Sequence, residues 1–298
     1  MVKVTCVGIS TLDLVLRIDR FPVDPGKYRA QQRIEVGGGV AANAAATVAA
    51  LGGTASLVSV VGTDPTGDRI LEDLTAHGVD AGGVRRVDDS ASPRSAVFID
   101  ATGERWIVNH AAADLFERAE VPGAADFEGA HGVLADMRWP EAAVAAFTAA
   151  RNQGVPAVLD CDHDPTARLD VVAAATHPVF SLPTLAALVG VADPPGALEA
   201  ATGLTEGTPI ATDGARGVYW LEGRECRHLP AFDVDVVDTL GAGDVFHGAF
   251  VLALAETRPV PDALRWASAA AALKCTRFGG RAGIPSRAEV DEFLGERT

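Results

Sequence analysis

The residues best suited to chemistry stand together near the C-terminus: Gly241-Ala242-Gly243-Asp244, preceded by Val234-Asp235-Val236-Val237-Asp238-Thr239-Leu240 and followed by the helical run Val245 to Glu256. Two glycines let the backbone approach a ligand closely, and the free N–H groups and dipole of a new helix favour an anion. Such a helix mouth can hold a phosphoryl group. Asp244 at the helix start has two readings. One is an ordinary N-cap carboxylate, the commoner role for aspartate in that place. In the other, kept ionised by the helix dipole, it faces the anion hole and takes a proton from a hydroxyl as that oxygen attacks phosphorus. These residues alone indicate a phosphate-binding α/β enzyme and go no further.

The elements that must position this turn are legible as hydrophobic rhythm. Short apolar runs at Val4 to Ile9, Leu57 to Val61, Gly132 to Ala135, Ala157 to Leu159 and Pro209 to Ala211 read as strands buried on both faces. Between them lie Ala-rich stretches of helical length: Ala41 to Leu51, Thr66 to His77, Glu141 to Gln153, Ala197 to Gly203 and Ala263 to Thr276. Alternation of the two predicts a doubly wound, mostly parallel α/β sheet flanked by helices, in one domain over residues 1–298. A further strand is expected to run from Val234 into the glycine turn. Two stretches lack helices: Leu14 to Ile18 with Arg29 to Val36, and Ser95 to Asp100 with Arg105 to Asn109, the latter joined by the turn Ala101-Thr102-Gly103-Glu104. They predict a small β-sheet lid over about residues 14–36 and 95–109. Its apolar face needs cover from a bound ligand or a second subunit, so a homodimer through the lid is expected.

Composition narrows the classes. The chain is 48% hydrophobic and 22% charged, as an ordered globular protein is, and its formal net charge of −15 opposes attraction to nucleic acid or an anionic membrane. A small anionic substrate is not excluded, because a pocket can be locally basic. No apolar run approaches the roughly 18 residues of a membrane-spanning helix, and Met1 to Gly8 reads as an opening strand rather than a signal peptide. A cytoplasmic location is therefore expected. Cys6, Cys161, Cys226 and Cys275 are far apart and form no CxxC pair, which reads as buried reduced thiols rather than a zinc site or disulfide framework.

Asp238-Thr239-Leu240-Gly241-Ala242-Gly243-Asp244 resembles the DTxGAGD signature of the ribokinase (PfkB) carbohydrate kinases, and Val36-Gly37-Gly38-Gly39-Val40-Ala41-Ala42-Asn43 resembles their N-terminal glycine-rich sugar motif. Length and motif order agree, so the resemblance spans essentially the whole chain. It implies a ribokinase-like fold with a lid, transfer of phosphate from ATP to a sugar hydroxyl, and Asp244 as base beside an anion hole of Gly241, Ala242 and Gly243. It implies that Asp13, in Gly8-Ile9-Ser10-Thr11-Leu12-Asp13, grips sugar hydroxyls together with Gly38, Gly39 and Asn43. Thr212, Gly214 and Gly217, in Thr212-Asp213-Gly214-Ala215-Arg216-Gly217, are similar to the family's turn beneath ATP. A glycine-rich hairpin before Val218 explains that segment equally well. No GxxxxGK[ST] is present, which disfavours a P-loop kinase. The resemblance implies ATP and Mg2+ as cofactors and leaves potassium open, with Thr239, Asp238 and the loop Lys274 to Gly283 as walls of a monovalent-cation site. One departure is that Ser181-Leu182-Pro183-Thr184 stands where the family's NxxE motif would, so no residue is assigned to the metal.

Within the family the chain is similar to the 6-deoxy-6-sulfofructose kinases, through Pro25-Gly26-Lys27-Tyr28, Leu134-Ala135-Asp136-Met137-Arg138-Trp139, Val245-Phe246-His247-Gly248, Ala272 to Arg277 and Gly279 to Pro285. That implies phosphorylation at C1 of sulfofructose, with Lys27, Asn109 and Arg138 clamping the sulfonate. The chemistry is sound, since an arginine fork, a lysine charge and an amide suit three acceptor oxygens. Asn43 instead follows the wider ribokinase pattern. The alternatives are a kinase for fructose, 2-keto-3-deoxygluconate or another sugar, and, in another class, a sugar-sensing protein that has lost catalysis.

Overall fold

The computed structural model describes residues 1–162 and 166–297. Strand and helix alternate much as the apolar rhythm predicts. The larger sheet contains β1 (Lys3–Val7), β4 (Thr54–Gly62), β5 (Val79–Val87), β8 (Gly132–Asp136), β9 (Ala157–Cys161), β10 (His177–Ser181), β11 (Ile210–Thr212), β12 (Val218–Glu222) and β13 (Glu225–Leu229). Its order is β13-β12-β11-β10-β9-β8-β1-β4-β5, parallel except where β12 pairs antiparallel with β11 and β13. The smaller sheet, ordered β3-β2-β6-β7, joins β2 (Thr11–Arg17), β3 (Gln32–Gly38), β6 (Arg94–Ile99) and β7 (Arg105–His110).

The helices are α1 (Val40–Ala50), α2 (Pro65–Ala76), α3 (Pro140–Gln153), α4 (Leu169–Ala174), α5 (Leu182–Val189), α6 (Pro194–Ala201), α7 (Ala242–Ala255), α8 (Val260–Cys275) and α9 (Arg287–Gly295). Central strands present successive residues to opposite faces. Leu134 joins the apolar cluster containing α1, α2, α7, α8 and α9, whereas Val133 and Ala135 join that of α3 to α6. This is the doubly wound arrangement. Val15, Val36, Val97 and Ile99 bury one side of the small sheet against Leu240, which ties it to the glycine turn. On β7, Trp106, Ile107 and Val108 are exposed.

Some expectations change. Residues 234–238 are not a strand: among the described residues no strand pairs with them, and the N–H groups of Val237 and Asp238 donate instead to the Cys275 carbonyl at the end of α8. Alternating valine and aspartate mimics a strand, but pairing needs a neighbouring edge. β3 begins at Gln32 rather than Arg29, leaving Lys27 in an exposed loop. All four cysteines are free, yet only Cys6 and Cys161 are buried; Cys226 lies on the edge strand β13, and Cys275 ends α8. α9 was not among the expected helices, although its Ser286–Glu289 capping box is a local signal. β5, glycine-containing and partly exposed at a sheet edge, carried no comparable signal. Among the described residues no helix is long and apolar enough to cross a membrane.

The contact that positions the site is between α1 and α7. Alanine-rich helices have thin side-chain shells, and here Gly248 of α7 lies on the Ala44 backbone of α1. A β-carbon at 248 would meet the Ala44 carbonyl oxygen at 2.5 Å and both Ala44 Cα and Thr47 Cβ at 2.9 Å. In an exposed helix, Gly→Ala gains roughly 1 kcal/mol. Overpacking reverses the sign here: Gly248→Ala is expected to lower stability by about 1–3 kcal/mol in denaturant titration. A more stable variant would show that the helices do not depend on this approach.

Candidate active site

A cleft of about 890 Å³ lies beyond the C-terminal ends of β8 to β11 and is roofed by the small sheet. In parallel α/β sheets this is where ligands bind. Asp13, Ser95 and Asn109 line it from the roof side, Asp160, Ser181 and Thr212 from the strand ends, and residues 239–244 from the glycine turn. Phe232, Val234, Ser268 and Ala271 extend it beside α8.

Gly241 adopts φ 77°, the left-handed conformation that reverses the chain into α7. Gly241 is therefore the N-cap, and Asp244 sits one turn inside the helix. Its carboxylate does not cap. Instead Oδ2 accepts from Asn43 Nδ2 of α1 at 2.6 Å, an interaction across 201 residues of sequence. The expectation that the dipole alone sets its ionisation also changes. The surrounding protein takes the carboxylate out of water and pushes its pKa up to about 6; the Asn43 hydrogen bond opposes this, Asp160 adds to it, and His247 and Arg105 oppose it. A helix N-terminus typically stabilises an anion by only 0.3–1 kcal/mol, which desolvation outweighs here. Asp244 is thus a carboxylate with a raised pKa, half-open to the cleft.

Four neighbours escaped sequence reasoning as site residues. His247, three residues along α7, places Nδ1 2.6 Å from Asp160 Oδ2. Burial acts to lower the imidazole pKa, but Asp160, with Asp244 and Asp162, raises it on balance. Spacing of three from Asp244 put His247 on the same helix face, and Asp160 at a strand's C-terminal end was a positional signal. Arg105 Nη1 donates to Thr239 Oγ1 at 2.8 Å, linking the small sheet to the turn. Arg281, 3% exposed, donates through Nε to Asn43 Oδ1 at 3.1 Å. Nothing in the local sequence placed Arg105 or Arg281 there.

Asp13 lies within β2, where it is buried and accepts from Thr11 Oγ1 at 2.7 Å; burial raises its pKa above the usual carboxylate value, against the hydroxyls of Thr11 and Ser95. Gly39 lines the cleft, and the carbonyl of Gly38 accepts from Arg281 Nη2 at 3.1 Å. Asn109 donates to Ser95 Oγ at 3.1 Å and shares the cleft with Arg138. Arg138 Nε is buried without a hydrogen-bond partner among the described residues. Lys27 does not line this cleft. Thr212 ends β11, and Gly214 and Gly217 form a 3₁₀ turn into β12; all three line the cleft's far end.

Asp238 and the 274–283 loop are built differently from an open cation site. Lys274 Nζ, fully buried, donates to the Asp238 carbonyl at 2.8 Å and lies 3.3 Å from Asp238 Oδ2. The same Oδ2 accepts from Gly279 N at 2.8 Å, while Oδ1 accepts from Leu240 N at 2.7 Å. These oxygens are committed to an internal ammonium and to backbone.

The sequence profile of the pfkB family carbohydrate kinases matches residues 1–287. The chain is 32% identical to an ATP-dependent ribose-1-phosphate kinase of Halopiger xanaduensis, covering 100% of this chain and 99% of that one. It is 29% identical to a ribokinase of Bacillus subtilis, covering 99% and 100%. A solved structure of a ribokinase candidate from Agrobacterium tumefaciens superimposes with a TM-score of 0.95 at 38% identity, covering 99% and 98%.

The position of Asp244 sets a pH dependence. A base must be unprotonated, so kcat/KM should rise with pH through about 6 and level off above it. Asp244→Asn should bind both substrates yet lose roughly 10²–10⁴-fold in turnover. Near-normal turnover in that variant would leave Asp244 a structural carboxylate.

Proposed function

The chain belongs to the pfkB family of carbohydrate kinases and is an ATP-dependent phosphotransferase acting on a sugar hydroxyl, and within that activity we propose that its acceptor is a ribose-like or ketose sugar held between Asp13 and Asp244. The observation that carries this reading is the placement of both carboxylates in one cleft, with Asn43 bonded to the second. Asp13 accepts from sugar hydroxyls. Asp244 takes the proton of the attacking hydroxyl as its oxygen bonds to the γ-phosphorus and the bond to the leaving ADP breaks. The N–H groups of Ala242 and Gly243 receive the anion, with Arg105 near enough to add positive charge. Thr212, Gly214 and Gly217 support the nucleotide. The sheet of β2, β3, β6 and β7 is read as the lid of a single domain. An ATP-dependent reaction fits a cytoplasmic setting.

Among the described residues no three His, Cys, Asp or Glu side chains form a metal site. Magnesium carried by a nucleotide needs only one or two protein carboxylates. Asp160 and Asp162 line the cleft with oxygen donors of that kind and would hold it. The ion supplies neutralisation of phosphate charge. With Asp238 and its carbonyl committed to Lys274, activity without potassium is the favoured reading.

A second reading, a sugar bearing an anionic group such as sulfofructose, is supported by Arg138, whose Nε lacks a partner beside Asn109. Lys27, standing outside the cleft, does not support it, and none of the relatives named above is a sulfofructose kinase. Turnover measured side by side on ribose, fructose, sulfofructose and 2-keto-3-deoxygluconate is expected to favour an unsulfonated sugar. Arg138→Ala should then change KM for that sugar little; a selective loss of roughly ten- to hundredfold on sulfofructose would establish the second reading.

The exposed Trp106, Ile107 and Val108 of β7 also support a homodimer formed through the lid, since an apolar strand surface at a sheet edge invites cover. Sedimentation should give a dimer at micromolar concentration, and Val108→Lys should yield monomer. A wild-type monomer would remove this assignment.

A further inference from the structure

We propose that Arg281 is a positioning residue for the reaction: by holding the amide oxygen of Asn43 it turns the amide nitrogen toward Asp244 and so fixes the base. This rests on Asp244 acting as the base. The two ends of an asparagine amide are nearly the same shape, and only their hydrogen-bond partners distinguish them. A guanidinium has donors and no acceptor, so the atom of Asn43 facing Arg281 Nε must be oxygen. That leaves Nδ2 to donate to Asp244 Oδ2, and the distances of 3.1 and 2.6 Å agree.

The arginine is itself held rigidly. It is 3% exposed, its Nη1 pairs with Asp73 of α2, and its Nη2 donates to the Gly38 carbonyl at 3.1 Å. It belongs to the short turn Gly280–Gly283, whose entry is fixed by Asp238 Oδ2 accepting from the N–H groups of Gly279 and Gly280. One guanidinium therefore joins four separate parts of the chain: the turn after α8, α2, the end of β3 and α1. With Arg281 in place the carboxylate has one oxygen tied back to α1, which limits its rotation and leaves the other for the substrate hydroxyl. Without it, the Asn43 amide can flip and present oxygen to oxygen.

The test is a double-mutant cycle on kcat with Arg281→Met and Asn43→Ala. Arg281→Met is expected to lower kcat roughly tenfold or more while leaving KM for ATP unchanged, because the nucleotide contacts lie elsewhere. In the Asn43→Ala background the same change should cost almost nothing, since a residue acting through Asn43 has no further effect once Asn43 is gone. Thermal melting of each variant separates this from instability. If Arg281→Met fails to fold because Asp73 loses its partner, Arg281→Lys retains the positive charge without the planar fork and is read in the same cycle. Equal factors with and without Asn43, or wild-type kcat in a folded Arg281 variant, would overturn the positioning role while Asp244→Asn remained inactive. Wild-type turnover in Asp244→Asn would instead remove the base itself, and this proposal with it.

Discussion

The close approach of α1 to α7 is the constraint on which the site depends. Asn43 and Asp244 meet only because Gly248 has no side chain between its backbone and Ala44. The position of α1 is set in turn by Asp136, fully buried at the end of β8. Its Oδ2 accepts from Ile9 N at 2.8 Å and Ala41 N at 3.2 Å, and its Oδ1 accepts from Arg138 N at 2.8 Å. Since Gly39 has no side chain to cap α1, Asp136 supplies the anion at that helix start from a different strand. One carboxylate thereby fixes the exit of β1, the start of α1 and the turn carrying Arg138. Burial raises its pKa to about 6, against the N–H groups of Arg138 and Ile9, whose hydrogen bonds favour the charged form.

Carboxylates and arginines meet around the cleft. The chain carries a formal net charge of −15, and Asp13, Asp160, Asp162 and Asp244 line the cleft beside Arg105 and Arg138, with Arg281 buried behind Asn43. Arg281 and Lys274 are almost entirely removed from water, and burial lowers the pKa of both against the pull of their carboxylate partners. Such groups persist in an interior only when their donors are satisfied. Here they meet Asp73, Asp238 and several backbone carbonyls. The same pairings hold the 274–283 loop against the glycine turn.

The small sheet joins this arrangement through side chains rather than through a shared strand. Arg105 reaches Thr239, Thr239 Oγ1 reaches the Gly103 carbonyl at 3.3 Å, and Leu240 packs under Val15 and Val97. Lid position and turn geometry are consequently coupled.

Local signals carried the architecture a long way. Short apolar runs and Ala-rich stretches gave strands β1, β4, β8, β9 and β11 with helices α1 to α3 and α6 to α8, and the helix-free stretches gave the small sheet, because these are properties of neighbouring residues; β5, β10, α4, α5 and α9 were not anticipated. The glycine turn and Asp244 were visible for the same reason, being contiguous. What the tertiary structure alone decided are the long-range partners: Asn43 on Asp244, Arg281 on Asn43, Lys274 inside the expected cation site, and Lys27 outside the cleft. It also decided that Val234 to Asp238 has no strand to pair with. Hydrogen bonds between residues 201 or 238 positions apart depend on helix packing and loop path, and no local pattern records those. The ionisation of Asp244 belongs to this second group as well. Its residue type and place on a helix were written in the sequence, while its burial and its neighbours Asn43, Asp160 and Arg105 came from distant segments.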